Sequence, residues 1–184
     1  LREQLPELFA GRGAVVVYAT SEPEEALLLG GYTGLMDDGV VTQFGPTSDI
    51  YRNPANLTAA RVFSDPPINS APIVKSGETA TLEGAASWQL DGAAASLPDG
   101  RYTVAVRPHR VTPQRTAPGD IELQGNVLVT ELSGSDSSAH FRMTGADWVS
   151  LASGVHPYRV GEDHTFFMNP VHCRYFGEDG NRVA

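Results

Sequence analysis

Cysteine and lysine are nearly absent from this 184-residue sequence: Cys173 and Lys75 are the sole examples of their kinds. One cysteine excludes an intrachain disulfide, a pattern that accords with a reducing compartment without requiring one. Arginine does not fill the gap in positive charge. The 13 basic residues face 22 acidic ones, for a net charge of −9, and the arginines are scattered along the chain. A nucleic-acid surface needs clustered cations, as does attraction to an anionic membrane, so both classes are disfavoured. Long apolar runs are missing too: none approaches the ~20 residues that a membrane-spanning helix needs. No secretory leader is visible, because Leu1 opens on a charged, helix-like segment without an initiator Met. The sequence therefore reads as a piece cut from a longer chain.

What is present is ordinary for a globular protein, with 41% hydrophobic and 19% charged residues. The length suits one domain or two small ones. Residues 1–66 alternate helix and strand patterns. "LREQLPELFAGRG" sets Leu1, Leu5, Leu8 and Phe9 on one helical face and stops at glycine. "AVVVYAT" (14–20) is a β-branched run of the kind expected in a strand buried on both faces. Ser21-Glu22-Pro23-Glu24 then combines an N-cap, an acidic first turn and an early proline, predicting a helix over 22–30 that ends at Gly30-Gly31. "YTGLMDDGVVTQFG" (32–45) predicts a hairpin turning at Asp38-Gly39. "TSDIYRNPANLTAARVFSD" (47–65) predicts two short helices broken at Asn53-Pro54, with Thr47 and Asn56 as caps.

"PPINSAP" (66–72) is linker-like, with the connection placed at 67–71. Beyond it the helical period vanishes. Short strand-like runs, among them "ASWQL", "RYTVAVRP", "IELQGNVLVTEL", "SAHFRMTG" and "DHTFFMNP", are separated by Gly, Pro, Asp and Asn. Many short strands at close spacing predict a small barrel or sandwich over 72–184, an OB-like barrel being a natural size. "LDGAAASLPDG" (90–100) reads as a loop whose side chains are too small for core.

In this order the segments resemble the C-terminal half of an ATP-binding subunit of an ABC importer of the sugar, polyol and glycerol type. "LREQL" is similar to the helix after the D-loop, and "VVVYATSEPEEALLLGG" to the H-loop strand and helix. "LMDDGVVTQFGPTSDIYRNPANLTAARVFSDPPIN" is similar to the family's hairpin and closing helices. "YTVAVRPHRV" and "HPYRVGEDHTFFMNPVHCRYFGEDGNRV" are similar to strands of its regulatory TOBE barrel, an OB-like fold. The resemblance implies the C-terminal part of an α/β P-loop ATPase domain over 1–66, followed by an all-β OB-like barrel over 72–184.

It also implies an intact protein that hydrolyses ATP with Mg²⁺ to power import of a sugar, polyol or similar solute. Such a protein sits on the cytoplasmic side of a bacterial inner membrane, touching it only through transmembrane permease subunits, and pairs with a second ATP-binding subunit. In the family the phosphate-binding Gly-x-x-x-x-Gly-Lys-Ser/Thr loop, the signature segment and the acidic Walker B strand lie before the point matching Leu1. The chain by itself is therefore expected to bind no cofactor and to be inactive. Ser21 falls where the H-loop histidine is normal, after a threonine matched by Thr20. A hydroxyl reaches less far toward a γ-phosphate than an imidazole. Two readings compete: a degenerate site with impaired hydrolysis, or a serine that chiefly caps the helix. Arg107, Pro108 and His109 fall in the regulatory barrel, where the family places a dimer contact or effector pocket; a solvated strand end explains them equally.

Other chemistry is weaker. His109, His140, His156, His164 and His172 show no metal-ligand spacing, and adjacent His172 and Cys173 would face opposite sides of a strand, so no metal site is expected. Ser135, Asp136 and His140 invite a hydrolase reading, but "SGSDSSAH" looks like a hairpin turn and lacks a nucleophile elbow. Trp88, Trp148, Phe141, Phe166, Phe167, Tyr175 and Phe176 suit barrel core better than a ligand platform. The rival to the importer reading is a stand-alone OB-like module that binds a regulatory ligand without ATPase activity.

Overall fold

The structure is a computed structural model describing residues 13, 15–143 and 145–184. The chain divides into two compact units, Leu1–Phe63 and Ser64–Ala184. The helix expected over residues 1–10 lies outside the described residues.

In the first unit, helix α1 (Pro23–Leu29) is followed by a hairpin of β1 (Tyr32–Asp37) and β2 (Val40–Pro46). Asp38 and Gly39 both take positive φ, 46° and 77°, as the expected two-residue turn requires. Helices α2 (Thr47–Arg52) and α3 (Leu57–Val62) follow, separated at Asn53-Pro54. Asn56 caps α3 as expected, its side chain accepting from the Ala59 N–H at 2.8 Å. Thr47 does not cap α2. It is the first helical residue and is buried, and its hydroxyl donates to the Gly30 carbonyl at 3.0 Å, tying α2 to the end of α1. A small core of Leu35, Ile50, Ala59 and Phe63 closes the unit.

The valine run departs from expectation. Residues 15–20 form no regular secondary structure, and Val15 and Val17 are 96% and 91% exposed. A strand exists by virtue of a ladder partner, and among the described residues none pairs with this run.

The second unit is almost entirely β. Strands β3 (Asn69–Ser76), β4 (Thr79–Leu82), β5 (Ala86–Gln89), β6 (Gly100–Val106) and β7 (Val111–Thr112) are followed by β8 (Ile121–Ser133) and β9 (Asp136–Met143). β10 (Ala146–Ser153), β11 (Asp163–Met168) and β12 (Arg174–Phe176) complete it. They form two antiparallel five-stranded sheets, ordered β12-β6-β3-β4-β5 and β10-β9-β8-β11-β7. This arrangement is consistent with the OB-like barrel. β3 begins at Asn69, inside the stretch expected to be linker.

Alternation along the strands builds the core. Every second residue of β3, including Ala71 and Ile73, points inward, and Leu123 and Val127 of β8 do the same. Phe141 stacks on Phe166 with ring centroids 3.9 Å apart, beside fully buried Trp148. Gly125 makes this possible: a Cβ there would collide with the Phe141 ring. Asn69 joins the two sheets, its side-chain amide donating to the Val149 carbonyl at 2.8 Å and accepting from the Val149 N–H at 2.6 Å. Trp88 donates to the Tyr175 hydroxyl at 2.9 Å, satisfying a buried indole. The 90–100 stretch is not simply a loop. Gly92–Ala95 forms a short helix, α4, and buried Ala94 joins the core.

Candidate functional site

Two places carry the expected functional residues, one in each unit. The first is the turn before α1. Pro23 starts the helix and Glu22 is its N-cap, without a side-chain capping bond. Ser21, expected to cap, is exposed at the tip of the turn one residue too early. Its neighbour does the anchoring. The Thr20 hydroxyl accepts from the Glu22 N–H at 2.9 Å and donates to Glu25 Oε2 at 2.5 Å. Tyr18 donates to the same carboxylate oxygen at 3.0 Å. Glu25, in the first helical turn, thus gathers two hydroxyls and fixes the chain entering the helix, leaving the Ser21 side chain directed by neither.

The second place is the turn after β6. Proline fixes a 3-10 turn, Pro108–Arg110, closed by the Arg110 N–H donating to the Arg107 carbonyl at 2.9 Å. Pro108 is buried, whereas His109 and Arg110 are exposed. A similar turn, Pro170–His172, is capped by Asn169, whose side chain accepts from the Val171 N–H at 3.1 Å. The two turns meet, with Arg110 Nη1 3.4 Å from His172 Nε2. Although His109 stays largely exposed, partial desolvation of its ring, then the positive fields of Arg110, Arg107 and His172, lower its basicity. His172 is lowered by burial, then by Arg110 and Arg174, against a weaker opposing pull from Asp120. Nothing in the sequence signalled this meeting, because 62 positions separate its halves.

Asp120 organises the base of this region. Burial alone would raise its pKa, but the N–H groups of Thr116 and Ala117, then Asn169 and the Thr116 hydroxyl, outweigh burial and hold it at about 2. Arg115 donates to the Asp120 carbonyl and pairs with Glu122 at 2.7 Å while lying over the Phe167 ring.

The remaining candidates stay apart. Ser135 donates to Asp136 at 2.8 Å in the β8–β9 turn. His140 lies four residues further along β9, about 13 Å away by strand rise, so no triad forms. His164 packs against Tyr158 and Phe166, and His156 contacts the Ser153 carbonyl. Among the described residues no three His, Cys, Asp or Glu side chains gather as metal ligands. Cys173 is buried, and burial pushes its thiol up to about 12. Trp88, Trp148, Phe141, Phe166, Tyr175 and Phe176 are buried in the second unit, and Phe167 is half-buried.

Comparison with known proteins supplies the family. No family model matches the chain. Relatives match it from end to end. A xylose/arabinose import ATP-binding protein of Haloferax volcanii is 30% identical over 196 residues, covering 100% of this chain and 49% of the relative. An sn-glycerol-3-phosphate import ATP-binding protein of Cupriavidus pinatubonensis is 26% identical over 197 residues, covering 100% and 53%. One from a Ruegeria species is 28% identical over 187 residues, covering 100% and 51%. The chain belongs to this family, the ATP-binding subunits of ABC importers. It spans about half the length of the curated relatives it matches. No helix among the described residues is long and apolar enough to cross a membrane.

Proposed function

We propose that this chain is the trailing part of a subunit that couples ATP hydrolysis, with Mg²⁺, to import of a sugar, polyol or similar small solute. The observation that carries the reading is the end-to-end match to import ATP-binding proteins, each about twice as long. The exposed Val15–Val17 run supports it, since a β-branched run that pairs with no strand among the described residues suits a sheet completed by the rest of an α/β ATPase domain. In this reading residues 1–66 end the ATP-binding domain, 67–71 connect, and 72–184 form the regulatory barrel. The subunit works at the cytoplasmic face of the membrane, docked on permease subunits and paired with a second ATP-binding subunit.

Ser21 stands at the H-loop position. The Thr20–Glu25 contacts hold the turn without the Ser21 hydroxyl, which weakens the reading of Ser21 as a cap and favours impaired hydrolysis at this site. Arg107, Pro108 and His109 form part of a regulatory surface. The full coding sequence is expected to contain a glycine-rich Lys-Ser/Thr loop before Leu1, and the assembled transporter to hydrolyse ATP. Ser21→His in that transporter is expected to raise turnover. Absence of the loop would replace this reading with that of a stand-alone binding module. Unchanged turnover in the variant would remove Ser21 from the catalytic account and leave the rest standing.

A further inference from the structure

Helix α1 departs from an ordinary capping box in one respect. In a capping box the side chain at the third helical position accepts directly from the N–H of the N-cap residue. Here Glu22 is the N-cap, Pro23 opens the helix and Glu25 is its third residue. A hydroxyl stands between them. The Glu22 N–H donates to Thr20 Oγ1 at 2.9 Å, and that hydroxyl donates in turn to Glu25 Oε2 at 2.5 Å. The Tyr18 hydroxyl reaches the same carboxylate oxygen at 3.0 Å.

This relay encloses residue 21. The bond from the Glu22 N–H to Thr20 Oγ1 closes a side-chain turn whose middle residue is Ser21, so the backbone is tied on both sides of it. Ser21 is exposed, and burial does not set its direction. A threonine hydroxyl by itself makes a weak tether of this kind. The carboxylate strengthens it, because a hydroxyl that donates to an ionised group forms a short, charge-assisted bond and becomes a better acceptor for the N–H behind it. Glu25 is in turn fixed in the helix, its own N–H donating to the Glu22 carbonyl at 3.1 Å.

We propose that Glu25 is a positioning residue for position 21: acting through Thr20, with Tyr18 as a second tether, it fixes the direction in which the side chain at the tip of the turn leaves the backbone. Its part in hydrolysis rests on the reading of Ser21 as the H-loop position given above, whereas the clamp itself rests on the three hydrogen bonds. Glu25 touches no reacting group and acts only by aim. A misplacement of about 1 Å costs about 10²-fold in rate where a group must meet a reacting atom. A longer donor introduced at position 21 therefore works only while the clamp directs it.

The test uses the full-length subunit in the assembled transporter. Ser21→His is introduced into the unaltered subunit and into Glu25→Ala, Thr20→Val and Thr20→Ser, and its gain in kcat is compared across these backgrounds. The gain is expected to persist in Thr20→Ser, which keeps the hydroxyl. In Glu25→Ala and Thr20→Val it is expected to shrink by about tenfold or more, with the KM for ATP unmoved. Amide exchange at Glu22 reads the clamp without any catalysis. In Glu25→Ala, where Thr20 is intact, it is expected to quicken severalfold while the Gly30 amide at the end of α1 keeps its rate. Unchanged exchange at Glu22, or faster exchange throughout α1, overturns the proposal. A gain of equal size in every background also overturns it and leaves the Ser21 reading standing. No gain in any background, with Glu22 exchange quickened as expected, ends the Ser21 reading and keeps Glu25 as the residue that aims the turn.

Discussion

In residues 64–184 the large side chains face inward, with Trp148, Phe141 and Phe166 sealed between two five-stranded sheets. In the described part of residues 1–63 the buried cluster stops at Leu35, Ile50, Ala59 and Phe63, while Tyr32, Met36 and Phe44 are 72%, 66% and 70% exposed. Val15 and Val17 are exposed as well. So many exposed apolar side chains leave the first unit short of buried surface, whereas the second unit encloses a large core of its own. The two units share one chain but differ in self-sufficiency. One is a finished core, and the other is a set of correctly formed local elements around a small one.

The comparison breaks most sharply at Phe141. Replacing it with alanine empties the site stacked on Phe166 and is expected to cost about 3–5 kcal/mol, removing the main thermal unfolding transition monitored by near-UV circular dichroism. An unaffected transition would mean that the second unit is not the stable one. Ile50→Ala probes the smaller core. The expected loss is about 2–4 kcal/mol, enough to unfold the first unit alone, so amide exchange should accelerate across 32–63 while β8 and β9 stay protected. Uniform acceleration would show the units to be coupled.

Asp120 sharpens the contrast through pH. Its carboxylate is held at about 2, below the ordinary unfolded value of about 3.9. A depressed pKa gives stability that is complete above the unfolded value and disappears as pH falls toward 2. Asp120→Ala is expected to destabilise the second unit by roughly 2 kcal/mol near neutrality and to flatten its loss of stability between pH 4 and about 2. Acid unfolding curves followed by tryptophan fluorescence test this, and identical slopes for variant and parent would refute it. The smallest effect is expected at the Asn56 cap: Asn56→Ala should cost about 1 kcal/mol, seen as faster exchange confined to α3.

Much of the local structure was legible. Asp38-Gly39 made the hairpin turn because two consecutive positive φ angles suit few residues, and Asn56 capped α3 because its short amide reaches back to an N–H three positions on. The strand-like runs beyond the linker became strands, although the first began at Asn69 and absorbed part of the stretch assigned to the connection. Capping was misjudged where it depended on one residue's offset. Pro23 set the start of α1, shifting the cap to Glu22 and leaving Ser21 outside. At Thr47 the hydroxyl found the carbonyl of Gly30, a partner 17 residues away, in preference to its own helix. The small side chains of 90–100 do not exclude core: Ala94 is buried in it, because the short helix α4 turns that residue inward.

By itself the sequence determined the turns, the periodicities and the family, since these depend on backbone preferences within a few residues and on their order along the chain. Tertiary structure decided the rest. It left Val15–Val17 without a ladder among the described residues, filled the space beside Gly125 with the Phe141 ring, and brought Arg110 to His172 out of arginines that look scattered when read in line. The physical reason is that burial and electrostatic fields are set by distances in space. Residues 62 apart in the chain lie within 3.4 Å only because two sheets folded to put them there.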